Sequence, residues 1–372
     1  LFLAFGAATL LISPDRVEGL RLLFKLAYPC LVFIAVCGLV ETRRDLERLG
    51  DWVLGAAAFL ALVVNPLLVL SGGYIVDARG YLRIEGLGMG TSAFSFYVLA
   101  MLLFAYARFS VRGQARYLVL GAVLAAWIVP TLTRTALGGA LAGLGGAALF
   151  GALVGRNYRG LVAAVLLAAV IAVPLAPVAL ERTFGYVPPL GELWSLARDP
   201  VALYDAMYWT GRDELWAVVM PAFLSSPLIG IGLGGSTAVL VRNTPSDWVD
   251  VVHNEYLRLL TDTGVVGLTL FAIALALWWF AVLRAGRTGD PLAREYALPA
   301  FAGILAWAVI SFPGNALDYY AQFTQYMGFF VAGAVTAARL ARADAERSDD
   351  DPGAGHESAV DTQGEGRHVP AV

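Results

Sequence analysis

Residues 160–180 read GLVAAVLLAAVIAVPLAPVAL, with no ionisable side chain among them. A run of this length is what an α-helix needs to cross the hydrocarbon core of a bilayer, about 17–25 residues. Predominantly apolar blocks of similar length recur at 22–40, 52–70, 91–107, 117–133, 135–154, 265–283, 296–312 and 322–340. Strands of a membrane barrel would alternate in shorter segments. The expected fold is therefore all-α, a polytopic transmembrane helix bundle of about nine to ten spans. A composition of 59% hydrophobic and 15% charged residues agrees with this and excludes a soluble domain. The first residues, Leu1–Ile12, are apolar with neither Met nor a basic segment before them. They are expected to be the end of a further membrane helix, in a chain truncated at its N-terminus, and not a signal peptide.

Arginine placement orients the bundle. One set of short loops carries Arg43, Arg44, Arg48, Arg108, Arg112, Arg116, Arg156, Arg159, Arg284, Arg287 and Arg294. The alternate set carries Arg79, Arg83 and Arg134. Eleven against three places the first set in the cytoplasm, with Arg16, Arg21 and Lys25 of the first loop as the exception. The expected organisation is one membrane domain over 1–340, with 181–252 inserted as an extracytoplasmic loop and a disordered cytoplasmic tail over 341–372. Cys30 and Cys37 lie seven residues apart on one expected helix, about 10 Å of rise, so they do not bridge each other.

A loop of this length is long enough to be functional. It holds Trp194, Trp209, Trp216, Trp248, Tyr186, Tyr204 and Tyr208, which also suit anchoring at the membrane interface. Within it, TGRDELWAVVMPAFLSSP reads as a helix, with Thr210 and Asp213 as a loose capping box. Leu215, Trp216, Val219, Met220 and Phe223 would form an apolar face lying on the bilayer. Arg212 then falls in the first turn, where the helix dipole opposes a cation. Free backbone N–H groups beside a guanidinium suit a phosphate, although on spacing alone an ordinary exposed arginine is the simpler reading. The following GIGLGG (230–235) fits a dinucleotide fingerprint, with Asp250 at the expected distance. It lacks the preceding strand and lies outside the cytoplasm, so a flexible turn is the better reading.

The stretch VVHNEYLRLLTDTGVVG (251–267) places polar groups at the threshold of an apolar run. His253 is the single histidine of the folded body, His356 and His368 being in the tail. A helix starting near His253 would put His253, Tyr256, Leu257 and Leu260 on one face, and Gly264 would separate it from the span that follows. Arg134, in PTLTRTALGG, interrupts apolar sequence at an outer turn, a functional signal at membrane depth unless the side chain merely snorkels to the interface. No D-x-D pair and no His/Cys spacing marks a metal, and no nucleophile elbow marks a serine hydrolase.

TGRDELW, SSPLIGIGLGG and HNEYLRLLTDTGVVGL, in that order around a long outer loop, resemble the O-antigen ligase and O-antigen polymerase family. The earlier TRTAL resembles that family's Ser-Arg-x-Ala element, with Thr133 in place of Ser. The resemblance implies a multi-pass glycosyltransferase of the cytoplasmic (inner) membrane with its active site on the extracytoplasmic face. It would move a glycan from an undecaprenyl-diphosphate carrier to a hydroxyl of a glycan, lipid or protein acceptor. No metal, nucleotide sugar or other cofactor is implied, and no nucleic-acid partner is expected. By position the resemblance makes His253, Arg212 and Arg134 the catalytic residues, His253 as base and the arginines on the diphosphate. Asn254, Tyr256 and Asp318 are expected to bind substrate. The motifs do not separate ligase from polymerase. A transporter of lipid-linked or amphipathic solutes is the alternative, and it would call for repeat symmetry and paired broken helices, which the sequence does not show. A structural membrane scaffold would leave the arginine–histidine set without a purpose.

Overall fold

The computed structural model describes residues 1–76, 80–86, 89–155, 158–208, 211–245 and 251–350. Arg79, Arg156, Trp209, Thr210, Trp248, Asp250, His356 and His368 lie outside these described residues. The chain begins with α1 (Phe2–Thr9), α2 (Arg16–Leu39) and α3 (Arg43–Phe59), which passes through a wide turn at Leu60–Val64 into α4 (Asn65–Leu70). A short antiparallel hairpin follows, β1 (Tyr74–Val76) and β2 (Leu82–Ile84), with Ile75 opposite Arg83. Then come α5 (Thr91–Arg112), α6 (Ala115–Ile128), α7 (Arg134–Gly155) and α8 (Tyr158–Phe184). The long loop holds α9 (Leu190–Arg198), α10 (Pro200–Ala206), α11 (Arg212–Ser225) and α12 (Gly235–Asn243). The last helices are α13 (Glu255–Gly286), α14 (Pro291–Ser311) and α15 (Gln325–Asp350).

Among the described residues seven helices are long and apolar enough to cross a membrane: α2, α3 with α4, α5, α7, α8, α13 and α14. The expected span at 117–133 is a shorter apolar helix, Ala115–Thr131. The one expected at 322–340 falls largely on α15, which runs on to Asp350, past the point where a disordered tail was expected; 351–372 lie outside the described residues. The bundle is all-α and polytopic, as read from the sequence. Burial sorts its helices: 89% of the apolar window of α5 is buried against 11% of that of α13, so α5 is central and α13 is peripheral. Small residues bring α7 against its neighbours. A Cβ on Gly139 would come 2.6 Å from Ile310 of α14, and one on Gly146 2.5 Å from Leu305. Close backbone approach of this kind is how helices gain contact where the surrounding lipid is as apolar as they are.

One end of this core is locked by ion pairs. Arg108, fully buried on α5, reaches Asp51 at 2.7 Å and Glu295 of α14 at 3.0 Å. Arg112 grips the same Glu295 with two guanidinium nitrogens. Arg43 pairs with Asp290, which also accepts from Ala293 N to cap α14. Bidentate pairing satisfies several donors at once, which a buried guanidinium needs.

The 230–235 loop corrects the expectation of a flexible turn. Gly230, Gly232 and Gly234 all have positive φ, and the loop wraps the outer part of α13. Gly234 N and Ser236 N donate to the buried carboxylate of Asp262 at 3.1 and 2.7 Å, while Gly232 N donates to its carbonyl. A Cβ on Gly230 would lie 2.4 Å from the Asp262 backbone. The glycines are therefore there to let two backbones touch. Gly264 (φ 66°, ψ −174°) breaks α13 beside this clasp, so the polar first turns stand apart from the apolar span.

Candidate active site

At the end of the bundle away from the Glu295 cluster, α7 and α11 both begin with arginine, at Arg134 and Arg212. A cation in a first turn is opposed by the helix dipole, so neither position favours a merely structural arginine. Both side chains line one cavity of about 490 Å³, together with Arg83 and Arg182. Thr133, Tyr208 and Pro313 complete its wall, and no carboxylate lines it among the described residues. Arg83 comes from β2, Arg182 from the last turn of α8.

Several bonds from the arginines to carbonyls and hydroxyls of the described residues hold the wall. Arg134 donates to the Arg182 carbonyl at 2.7 Å and to Thr183 Oγ1 at 3.2 Å. Arg182 donates to the Leu132 carbonyl at 3.0 Å, and Arg83 to the Thr131 carbonyl at 2.9 Å and Thr91 Oγ1 at 2.8 Å. Carbonyls and hydroxyls orient a guanidinium without cancelling its charge. Burial draws Arg212 below the ordinary arginine value, against a smaller upward pull from Tyr319. Guanidinium stays protonated through such a shift, so Arg212 presents a partly desolvated positive charge.

His253 stands beside this cavity and is not part of its lining. A helix does start near His253, α13 beginning at Glu255 with Asn254 as its N-cap, but His253 precedes the cap with φ 51° and so does not share a helical face with Tyr256, Leu257 and Leu260. Among the described residues only His253 and Leu132 have positive φ without being glycine. Leu132 adjoins Arg134 in the turn before α7. Such conformations cost about 1–3 kcal/mol and cluster at functional sites. Trp216, one turn after Arg212, joins the two parts: its Nε1 donates to the Val252 carbonyl at 2.9 Å, and its ring lies 6.1 Å from that of Phe312. Asn315, just past Pro313, brings its amide nitrogen 3.0 Å from His253 Nδ1. With that amide donating, the neutral ring carries its proton on Nε2. The Asn315 carbonyl is buried without a hydrogen-bond partner. Turning the amide over would give the carbonyl an Nδ1–H and free Nε2 to take up a proton.

The three residues expected to bind substrate each have partners within the fold. Asn254 Oδ1 accepts from Leu257 N at 3.0 Å, as an N-cap does. Tyr256 donates to the Ala308 carbonyl at 2.8 Å. Asp318 accepts from Lys25 at 2.6 Å and from Arg258 at 3.1 Å. Burial works against the Asp318 charge, but Arg258 and Lys25 outweigh it and hold its carboxyl below the ordinary value. The face of α11 expected to lie on the bilayer is also corrected. Leu215 and Val219 are buried with Leu240, Val252 and Leu257, so most of this face packs on α12 and α13. The helix has Gly211 at its N-cap and no side-chain cap, and Thr210 of the expected capping box lies outside the described residues.

Fold and site together define a polytopic helical membrane protein with an arginine-lined cavity, suited to anions, at one end of its bundle. The model of the O-antigen ligase family matches residues 117–272. The family resemblance drawn from the motifs is thereby borne out, and with it a general function in glycan transfer at a membrane. No curated protein matches the chain. The matched stretch contains Arg134, Arg182, Arg212 and His253. Arg83 lies before it and carried only topological information in the sequence.

Proposed function

We propose that the chain transfers a glycan from undecaprenyl diphosphate to an acceptor hydroxyl, at the outer face of the cytoplasmic membrane, as a cell-surface polysaccharide ligase or polymerase. The observation that carries this reading is the cavity lined by four arginines and, among the described residues, no carboxylate, three of the arginines lying in the stretch that the O-antigen ligase family model matches. The donor's diphosphate sits among Arg134, Arg182 and Arg212. As the acceptor oxygen attacks the anomeric carbon, the bond from that carbon to the diphosphate oxygen breaks. The lipid diphosphate leaves with the bonding pair, and its new charge develops against the guanidiniums. The acceptor's proton passes to His253, imidazole being the side chain best suited to act as a base near neutrality. One displacement opposite the leaving group inverts the anomeric centre, and no metal takes part.

The test is reconstitution of the full chain with a synthetic undecaprenyl-diphosphate glycan and candidate acceptors, with and without chelator. Transfer is expected to persist in chelator and to give a product of inverted configuration. His253→Ala is expected to slow it by about 10²–10⁴-fold, the usual contribution of a positioned acid–base group. A product that keeps the donor configuration, or full activity in His253→Ala, removes this mechanism.

A further inference from the structure

The other end of α7, α8 and α14 carries a second cavity, of about 470 Å³. Arg159 and Arg294 line it with Ser110, Phe150, Tyr158 and Pro291, and no carboxylate does among the described residues. A groove of about 360 Å³ shares Tyr158 and Arg159 with this cavity and continues along α8 over Val162, Ala163 and Leu166. Its far part is apolar and faces outward, with Val162 58% and Leu166 54% exposed. In a membrane those side chains meet acyl chains. A cationic recess thus opens directly into an apolar channel that runs toward the bilayer centre.

The two arginines differ from their neighbours. Arg43, Arg108 and Arg112 at the same end all reach carboxylates. Arg294 donates only to the Gly286 carbonyl, and Arg159 has no ion pair among the described residues. Their charges are left for something outside the chain. Basic pockets between membrane helices, with an adjoining apolar surface, fit anionic lipid head groups. We propose that this cavity and groove bind one diacyl phospholipid with an anionic head group. Its phosphate would lie between Arg159 and Arg294, and one acyl chain along Val162 and Leu166. The position is the leaflet opposite the arginine-lined active-site cavity, because about 35 Å of α8 separates Arg159 from Arg182. The inference does not depend on the glycan-transfer mechanism.

Native mass spectrometry of the full chain in neutral detergent, with equimolar phosphatidylglycerol and phosphatidylcholine, tests it. Two basic contacts predict about thirtyfold preferential retention of phosphatidylglycerol. Arg159→Gln/Arg294→Gln should bring retention to parity. Val162→Trp, which obstructs the groove and keeps both arginines, should lower phosphatidylglycerol retention on its own, and it decides the matter if the double variant fails to fold. Unchanged preference in the double variant, or unchanged phosphatidylglycerol retention in Val162→Trp, overturns the site. Competition by inorganic phosphate as effective as by the lipid would leave an anion site without a lipid, and undecaprenyl phosphate displacing phosphatidylglycerol at equal mole fraction would make the occupant a prenyl lipid. Both results overturn the assignment.

Discussion

At one end of the bundle Arg108 and Arg112 close on Glu295; at the other, Arg134 and Arg182 each donate to a backbone carbonyl of the opposite segment. The two arrangements use the same side chain for different ends. A carboxylate satisfies a guanidinium and removes its field, which secures the helices and leaves nothing for a ligand. A carbonyl or hydroxyl fixes its direction and leaves its charge, which in a site of reduced dielectric acts strongly on an incoming anion. The first end is therefore expected to govern folding and the second to govern binding and catalysis.

The largest effect should come from the paired end. Glu295→Ala leaves Arg108 and Arg112 in the bundle without the acceptor they share, and removing one partner of a buried pair costs about 3–5 kcal/mol. A lower melting temperature in detergent, with loss of monodisperse protein, is the expected result. Arg134→Ala and Arg212→Ala should melt near the parent yet each lose about 10²–10³ in transfer rate, the usual cost of one donor to a developing oxyanion. Had Glu295→Ala folded normally while Arg134→Ala collapsed, the division between the two ends would be reversed.

The contrast also explains what could be read from sequence. Long apolar blocks show the helices directly, and Gly264 marked the break in α13. Arg134 and Arg212 stood out because each sits where a helix or a span disfavours it. Arg182 follows Glu181 at the end of a span, where nothing in the local sequence singles it out; only the fold brings it to the Leu132 carbonyl. Arg83 needed the hairpin to turn it inward. Asn254, Tyr256 and Asp318 show the reverse: polar side chains beside a candidate base suggest substrate contacts, and the sequence did not reveal their partners within the fold, Leu257 N, the Ala308 carbonyl, Lys25 and Arg258, which helix capping and distant segments supply. Sequence spacing reveals an unfavourable placement more readily than it reveals a long-range partner.

Asp318 sits between the two behaviours, since it is paired like Glu295 but lies in the outer turn next to the site. Asp318→Asn should destabilise by about 1.5–3 kcal/mol, the range for a hydrogen bond to a charged group. Its carboxyl titrates below the ordinary aspartate value in the folded chain. Its contribution is therefore fully present above that ordinary value, about pH 3.9, and is lost as pH falls further toward the folded value. Melting curves of the parent should drop more steeply than those of Asp318→Asn in that acid window and run parallel to them near neutrality. Parallel curves throughout would show that the Lys25–Asp318–Arg258 cluster adds no charge-dependent stability.

The smallest effect, and the finest test of the comparison, belongs to Arg83. It enters from the hairpin and holds the Thr131 carbonyl and Thr91, while Arg134 and Arg212 occupy the starts of helices. If its role is to add field at the rim, Arg83→Gln should keep both hydrogen bonds possible and remove only the charge. Transfer at low salt should then fall by about tenfold or less, because a rim charge acts mainly on encounter with a charged partner. The deficit should shrink as ionic strength rises past about 0.15 M, where the screening length is about 8 Å. Arg134→Ala should show no such recovery if Arg134 touches the diphosphate directly, as the proposed mechanism requires. A salt-independent loss in Arg83→Gln would move Arg83 from the rim into direct contact with the donor.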